Sequence, residues 1–346
     1  MSKGINPNIR LKAKSLKPLD YYIDGIRKGD RFVLSEALTL IESNKNAHRQ
    51  LGEEILDVID LSQKKTLRIG ITGSPGVGKS TFIESLGKHF ITKGKKVSVL
   101  AVDPSSTKSQ GSILGDKTRM PLLSTDENAF VRPTASANRL GGVAQATKES
   151  IALCEAAGYD IILVESVGVG QSETELADLV DIYLLLLLPG GGDGVQGIKR
   201  GIVELADLMV VNKYDGDYKA LAERSRKDFA MANTLFHHDL EGWRVPVLLC
   251  SSLHNQGFDE IIEKVEAFEV QSKKEGFFSS KREKQDREWL STQIKEVLIH
   301  KANQLFEVDK HLEEKTPSQS VFNLLKQLSN KLESDFQFFM KTKQKD

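Results

Sequence analysis

The chain has 346 residues with 48 basic and 48 acidic side chains, giving a formal net charge of zero. That length holds one large domain with extensions or two modest ones, and the balanced charge argues against a broadly basic nucleic-acid surface. Two cysteines, Cys154 and Cys250, form no CxxC pair and point to a reducing compartment without a disulfide framework.

The first nineteen residues hold Lys3, Arg10, Lys12, Lys14 and Lys17 and no acid. An organelle transit peptide would be amphipathic and rich in arginine and serine. This stretch is mostly lysine with two prolines and reads as a solvated terminus, so the expected location is the cytoplasm. Residues 20 to 63 carry helical periodicity. In FVLSEALTLIES, Phe32, Leu34, Leu38 and Ile41 fall near one face, and LGEEILDVIDL follows with Leu51, Ile55, Val58 and Ile59.

From residue 67 short apolar runs alternate with helical stretches. The predicted strands are LRIGIT (67–72), VSVLAV (97–102), DIILVE (160–165), DIYLLLLL (181–188), DLMVVN (207–212) and VPVLLC (245–250). Between them lie STFIESLGKHFITKG, GVAQATKESIALCEAAG and KALAERSRKDFAMANTLF, all of helical character. Apolar strands alternating with helices predict an α/β fold with a mostly parallel sheet covered by helices on both faces. Binding sites in such folds lie at the carboxyl ends of the strands. The longest apolar stretch, IYLLLLLP (182–189), is too short to cross a bilayer, and no membrane role is expected. After about residue 272 the chain becomes charged and then shows amphipathic helical spacing in QIKEVLIHKANQLF and SVFNLLKQLSNKLESDFQFF. The expected division is an N-terminal helical extension (1–63), a central domain (64–272) and a C-terminal helical extension (273–346).

GSPGVGKS (73–80) matches G-x-x-x-x-G-K-[ST], follows a predicted strand and opens a predicted helix. In this P-loop the glycines let backbone N–H groups turn toward an anion, and the helix N-terminus adds its positive end. The expected nucleotide contacts are Gly73, Ser74, Pro75, Gly76, Val77, Gly78, Lys79, Ser80 and Thr81. Lys79 should reach the β- and γ-phosphates and Ser80 should coordinate Mg2+. Magnesium prefers oxygen ligands, and three acids stand where they could complete its shell. Asp103 ends the second strand, Glu165 ends the third, and Asp116 lies in GSILGDKTRM. For Asp116, spacing leaves a metal role and a solvated loop charge equally open. Glu165 is followed by GVG, where Gly168 would offer its N–H to the γ-phosphate and release the loop when that phosphate is lost. A second glycine-rich loop, PGGGDGVQGIK (189–199), is either a moving segment or a flexible connection.

NKYD (212–215) has the N-K-x-D form. The carboxylate of Asp215 accepts only, so it can take both N–H groups on the guanine edge, a pair adenine lacks. Lys213 would lie along the purine and Asn212 would tie the loop to the P-loop. Ser251, Ser252 and Leu253, in CSSL, could give a backbone N–H to the guanine carbonyl. GTP and GDP are therefore the expected nucleotides.

With these motifs in order, the sequence resembles the MeaB/ArgK/MMAA-type GTPases, P-loop chaperones of methylmalonyl-CoA mutase. The resemblance runs from about residue 20 to 270 and is carried by GITGSPGVGKST, AVDPSSTKSQGSILGDKTRM, ILVESVGVGQSE, LLLPGGGDGVQGIKRGIVELAD and NKYDGD. It implies a SIMIBI-class P-loop domain, usually homodimeric, with Ser80, Asp103, Asp116 and Glu165 around magnesium and a switch segment containing Gln196 and Lys199. It also implies slow intrinsic GTP hydrolysis, raised by an adenosylcobalamin-dependent acyl-CoA mutase whose cofactor loading and protection the GTPase gates. The sequence departs at Ser166, where threonine is common, at Tyr214, where alanine is common, and at SSLHNQG (251–257). No residue stands out as orienting the attacking water; Arg119 and Arg200 are candidates for charge stabilisation.

Two other classes compete. A metallochaperone of the nickel-insertion type needs clustered soft or imidazole ligands. Of the seven histidines only His237 and His238 are adjacent, on a stretch read as helix, where neighbours point apart by about 100°. A transport-coupled ATPase or kinase conflicts with the guanine-directed Asp215.

Overall fold

The structure, a computed structural model, describes residues 16–59, 66–103, 119–135, 142–166, 172–190, 200–234, 237–306, 320 and most of 322–334. Three helices come first: α1 (Leu19–Arg27), α2 (Arg31–Ile41) and α3 (Asn46–Val58). The Asp30 carboxylate caps α2 by accepting from the N–H groups of Phe32 and Val33. Helix α2 buries Val33, Leu34, Ala37, Leu38, Leu40 and Ile41. Phe32 is 84% exposed, contrary to its expected place on the apolar face. At 3.6 residues per turn it lies about 160° around the helix from Leu34.

The strands are β1 (Leu67–Gly73), β2 (Val97–Asp103), β3 (Ala129–Ala135), β4 (Ile161–Ser166), β5 (Ile182–Leu187), β6 (Leu208–Val211) and β7 (Val247–Leu249). They form one sheet in the order β3-β2-β4-β1-β5-β6-β7. Every pairing is parallel. Between them run α4 (Lys79–Thr92), α5 (Pro121–Thr125), α6 (Gly142–Ala156), α7 (Ser172–Ala177), α8 (Arg200–Glu204) and α9 (Lys219–Asn233), and α10 (Phe258–Lys274) and α11 (Phe277–Phe306) follow. This is the P-loop NTPase fold, with helices on both faces of the sheet and helical extensions.

Strand alternation sorts the core into two layers. Ile162, Val164, Tyr183, Leu185, Met209 and Val211 pack with α1–α3 and α6, while Ile161, Leu163, Ile182, Leu184, Leu208 and Val210 pack with α4 and α10. The N-terminal helices are also tied to β3 by Arg132, which lies 2.6 Å from Glu42 and 3.0 Å from the Ser35 hydroxyl.

Strand β3 has no counterpart in the sequence-based expectation. Its sequence AFVRPTA interrupts the apolar run with Arg132 and Pro133, which suits the sheet edge it occupies, because an edge strand tolerates the missing proline N–H.

The chain divides into two compact units, Met1–Gln285 and Asp286–Asp346. Within the first, Arg282 donates to the Asp181 carboxylate at 2.7 and 2.6 Å and to the Thr66 carbonyl at 2.7 Å, anchoring the start of α11 at the amino ends of β1 and β5. In the second, Leu290, Ile294, Val297 and Leu298 of α11 are exposed. No helix among the described residues is long and apolar enough to cross a membrane.

Candidate nucleotide site

Strand β1 runs from the centre of the sheet into the loop 73–78 and then into α4. The loop needs glycine for two separate reasons. Gly73 passes so close to β5 that a Cβ would lie 2.5 Å from the Leu186 carbonyl oxygen. Gly78 caps α4 at φ 94°, and a Cβ there would meet the Asn212 amide nitrogen at 2.9 Å. Lys79, only 9% exposed, donates to the Gly73 carbonyl at 2.8 Å and the Ser74 carbonyl at 3.4 Å. Val77 is buried, Ser80 half-buried, and Ser74, Pro75, Gly76 and Thr81 are exposed.

Glu165 is the penultimate residue of β4, in register with Ile71 of β1 and Ala101 of β2, where the sequence had it end the strand. Ser80 donates to its carboxylate at 3.2 Å. The next residue, Ser166, is buried and donates to the Thr72 hydroxyl at 2.8 Å, which holds the β4 terminus against β1. Asp103 closes β2, one step beyond the pairing of Val102 with Ser166, so its backbone sits at the same end of the sheet. Asp116, Gly168, Gln196 and Lys199 lie outside the described residues.

The other side of the site is built on the ends of β6 and β7. Asn212 is 1% exposed and joins three segments. Its amide donates to the Val77 carbonyl at 2.8 Å, and its oxygen accepts from the Ser252 N–H at 3.1 Å, the Ser252 hydroxyl at 2.8 Å and the Cys250 thiol at 3.3 Å. Burial pushes that thiol up to about 12, so it stays a neutral donor. Lys213 follows at φ 60°, a left-handed conformation that is rare for a side-chain-bearing residue. The Tyr214 N–H donates to the Cys250 carbonyl at 2.8 Å, and the Ser251 hydroxyl donates to the Asp215 carboxylate. Ser251 also pairs with Gln256 in an antiparallel bridge that closes the loop holding Leu253, which is 76% exposed.

The fold thus brings the P-loop, Asp103, Glu165, Asn212–Asp215 and Ser251–Leu253 to the carboxyl ends of the strands, with the glycine-bearing loop ahead of α4 and the Asp215 carboxylate beside the Ser251 hydroxyl. Cys250 also takes part, through its thiol on Asn212. A lone buried cysteine in a strand has no sequence signal that separates it from ordinary core.

The histidine pair is elsewhere. His237 and His238 lie beyond the end of α9 and are not helical, contrary to expectation. The His238 Nδ1 accepts the Leu240 N–H at 2.9 Å, so its proton sits on Nε2, which donates to Asp207 at 2.7 Å. Both residues line a cavity of about 720 Å³ near the amino ends of β6 and β7, away from the P-loop. Among the described residues no group of three or more His, Cys, Asp or Glu side chains is placed to hold a metal ion.

Residues 34–306 match the family described as methylmalonyl-CoA mutase-associated GTPase MeaB. The chain is 46% identical over 275 residues to "GTPase ArgK" of Escherichia coli (strain K12), covering 80% of this chain and 83% of that protein. It is 44% identical over 301 residues to "Methylmalonic aciduria type A homolog, mitochondrial" of Mus musculus, covering 84% of this chain and 72% of that one. Among solved structures, one described as "LAO/AO transport system kinase" superposes with a TM-score of 0.74 at 36% identity, covering 92% of this chain and all of that chain. A P-loop fold, a guanine-type N-K-x-D motif at its expected strand end and these relatives agree: the chain is a GTPase and belongs to the methylmalonyl-CoA mutase-associated GTPase family.

Proposed function

We propose that this GTPase binds GTP with Mg2+ at the carboxyl edge of the sheet, hydrolyses it slowly when alone, and uses the nucleotide state to gate adenosylcobalamin loading and protection of an acyl-CoA mutase, methylmalonyl-CoA mutase foremost. The observation that carries the nucleotide reading is the buried Asn212 side chain, which ties the P-loop at Val77 to the base loop at Ser252 and so couples phosphate recognition to base recognition.

In this reading Asp215 accepts the two guanine N–H groups. Its carboxylate already receives Ser251, and a carboxylate has acceptor capacity for more than one donor. Lys79 exchanges the Gly73 carbonyl for the β- and γ-phosphates, and the backbone from Gly73 to Thr81 wraps the phosphate chain. The Ser80 hydroxyl and Glu165 carboxylate form a pair of hard oxygen donors 3.2 Å apart, a chemistry that fits magnesium. Ser80 and Glu165, with Asp103 and Asp116, would hold the ion, which when bound supplies positive charge against the phosphate oxygens. Gly168 and the segment with Gln196 and Lys199 serve as switches that answer to the γ-phosphate.

The mutase partner is supported by the family and by the mouse relative's name. The cytoplasm as its location rests on composition. A homodimer is supported by the family resemblance and by the exposed apolar residues of α11, and light scattering on the full chain tests it. The deciding experiment is steady-state GTP turnover, alone and with the same organism's methylmalonyl-CoA mutase. A slow basal rate that climbs many-fold with mutase is expected. An unchanged rate with both proteins intact would overturn the partner while leaving the GTPase.

A further inference from the structure

We infer that Ser85, on the second turn of α4, is a positioning residue for guanine: its hydroxyl holds the peptide whose N–H, at Leu253, meets the guanine carbonyl. This rests on the base reading above and goes beyond it to a residue outside both nucleotide motifs.

Most N–H groups of the base loop are already engaged. The Ser251 N–H donates to the Gln256 carbonyl at 3.1 Å, the Ser252 N–H to Asn212 at 3.1 Å and the His254 N–H to the Ser251 hydroxyl at 3.2 Å. Among the described residues of this loop, the N–H groups of Leu253 and Asn255 have no such partner, and that of Leu253 is the nearer along the chain to Ser251. The Leu253 N–H lies two residues along the chain from Ser251, whose hydroxyl donates to Asp215, the carboxylate assigned to the guanine edge.

A bond from α4 sets the direction of the Leu253 N–H. The Leu253 N–H and the Ser252 carbonyl share one planar peptide, and fixing either group fixes the other. The Ser85 hydroxyl donates to that carbonyl at 3.2 Å, across 167 positions of sequence. A helical serine has a local alternative in the carbonyl one turn back, so a bond to a distant loop marks a tertiary constraint. Helix α4 begins at Lys79, so the same rigid helix starts at the phosphate loop and fixes the base-loop peptide. Asn212 pins the preceding peptide through the Ser252 N–H and reaches the P-loop at Val77. Two consecutive peptides of the base loop are therefore registered on the phosphate-binding element. His89, one turn beyond Ser85, stacks on Phe258 at 5.0 Å between ring centroids, which steadies α4 against α10 behind the loop.

The test is binding of three diphosphates to the full chain with Mg2+, by competition against a fluorescent GDP. GDP and inosine diphosphate both carry the ring carbonyl; 2-aminopurine riboside diphosphate does not. Ser85→Ala should weaken GDP and inosine diphosphate by about three- to tenfold, the worth of one ordinary hydrogen bond, and leave the 2-aminopurine nucleotide within about twofold. Ser85→Thr, which keeps the hydroxyl, should restore most of the loss. Alanine is the better helix former, so the variant should fold. An equal loss for all three nucleotides, or no loss at all, would overturn the assignment. The wild-type chain's preference for GDP over ADP tests the base site separately: its absence would sink the guanine reading itself, whatever Ser85→Ala does.

Discussion

Replacing Asn212 with alanine should damage stability and nucleotide retention together. The side chain is 1% exposed and makes four polar contacts, to the Val77 carbonyl at 2.8 Å, the Ser252 N–H at 3.1 Å, the Ser252 hydroxyl at 2.8 Å and the Cys250 thiol at 3.3 Å. The hydroxyl can rotate to another partner and the thiol is a weak donor, so neither loss should count for much. The two backbone groups cannot rotate away. Each left unpaired in a buried setting costs about 1–3 kcal/mol. Because the site opens at the strand ends, some water reaches the relaxed loop, and a net loss of about 3 kcal/mol is the reasonable figure. If bound nucleotide requires the intact link, that energy becomes faster release, about a hundredfold. Urea unfolding with and without GDP measures the first quantity, and release of a fluorescent GDP measures the second. Asn212→Asp keeps the shape but presents an acceptor to the Val77 carbonyl, so it should be no better than alanine. A variant within about 0.5 kcal/mol of wild type, with unchanged GDP release, would refute the view that this side chain couples the two loops.

Other expectations concern different parts of the molecule. Gly25→Ala on α1 would place a Cβ 2.5 Å from Val33 Cγ1 and 2.6 Å from its Cβ. The helix-propensity gain of about 1 kcal/mol is then outweighed by a clash costing about 1–3 kcal/mol, and the double variant with Val33→Gly, which removes that Cβ as well, should show a favourable coupling in urea midpoints if space is the cause. Burial alone would raise the Asp207 carboxyl, but Lys281, the His238 hydrogen bond and the Tyr183 N–H outweigh it and hold Asp207 below the usual carboxylate range. A depressed folded value contributes stability above the unfolded value of about 4 and loses it as pH falls through the folded value, so stability should decline below about pH 4. Asp207→Asn should flatten that acid limb in urea midpoints taken between about pH 3 and 7. Removing divalent cations with EDTA should lower GTP turnover by about a hundredfold or more, and Ser80→Ala at saturating nucleotide should do the same. Turnover at full rate in EDTA would remove the metal from the reading.

The legible parts of this site are those whose geometry is local. GSPGVGKS and NKYD encode backbone turns and side-chain functions within a few residues, and both stand at strand ends in the structure. The core strands were readable because they are apolar on both faces. Strand β3 was not, because Arg132 and Pro133 interrupt its run at the sheet edge. Periodicity also overreached: it carried a helix through to the histidine pair, while α9 stops at Asn233, and it placed Phe32 on a buried face. The contacts between loops left no trace in the sequence. Ser251 meets Asp215 across 36 positions and Ser85 meets Ser252 across 167, and no local pattern encodes pairs that only the sheet order brings together.

Lys213 shows why that limit matters for function. Its φ of 60° is a conformation that costs a non-glycine residue about 1–2 kcal/mol, and nothing in the letters NKYD announces it. Glycine would adopt that turn more easily, and the proposed place of the lysine side chain along the purine is one account of why a lysine stands there. The strained residue sits between two fastened neighbours: Asn212 is held on both sides by Val77 and Ser252, and the Tyr214 N–H is held by the Cys250 carbonyl. Lys213→Gly should therefore preserve the loop and remove only the side chain, whereas Asn212→Ala removes one of the fastenings. The first variant should weaken guanine nucleotides with little change in urea midpoint, and the second should lower both. If Lys213→Gly instead destabilised the chain as much as Asn212→Ala, the strain would not be what the neighbouring hydrogen bonds are holding in place.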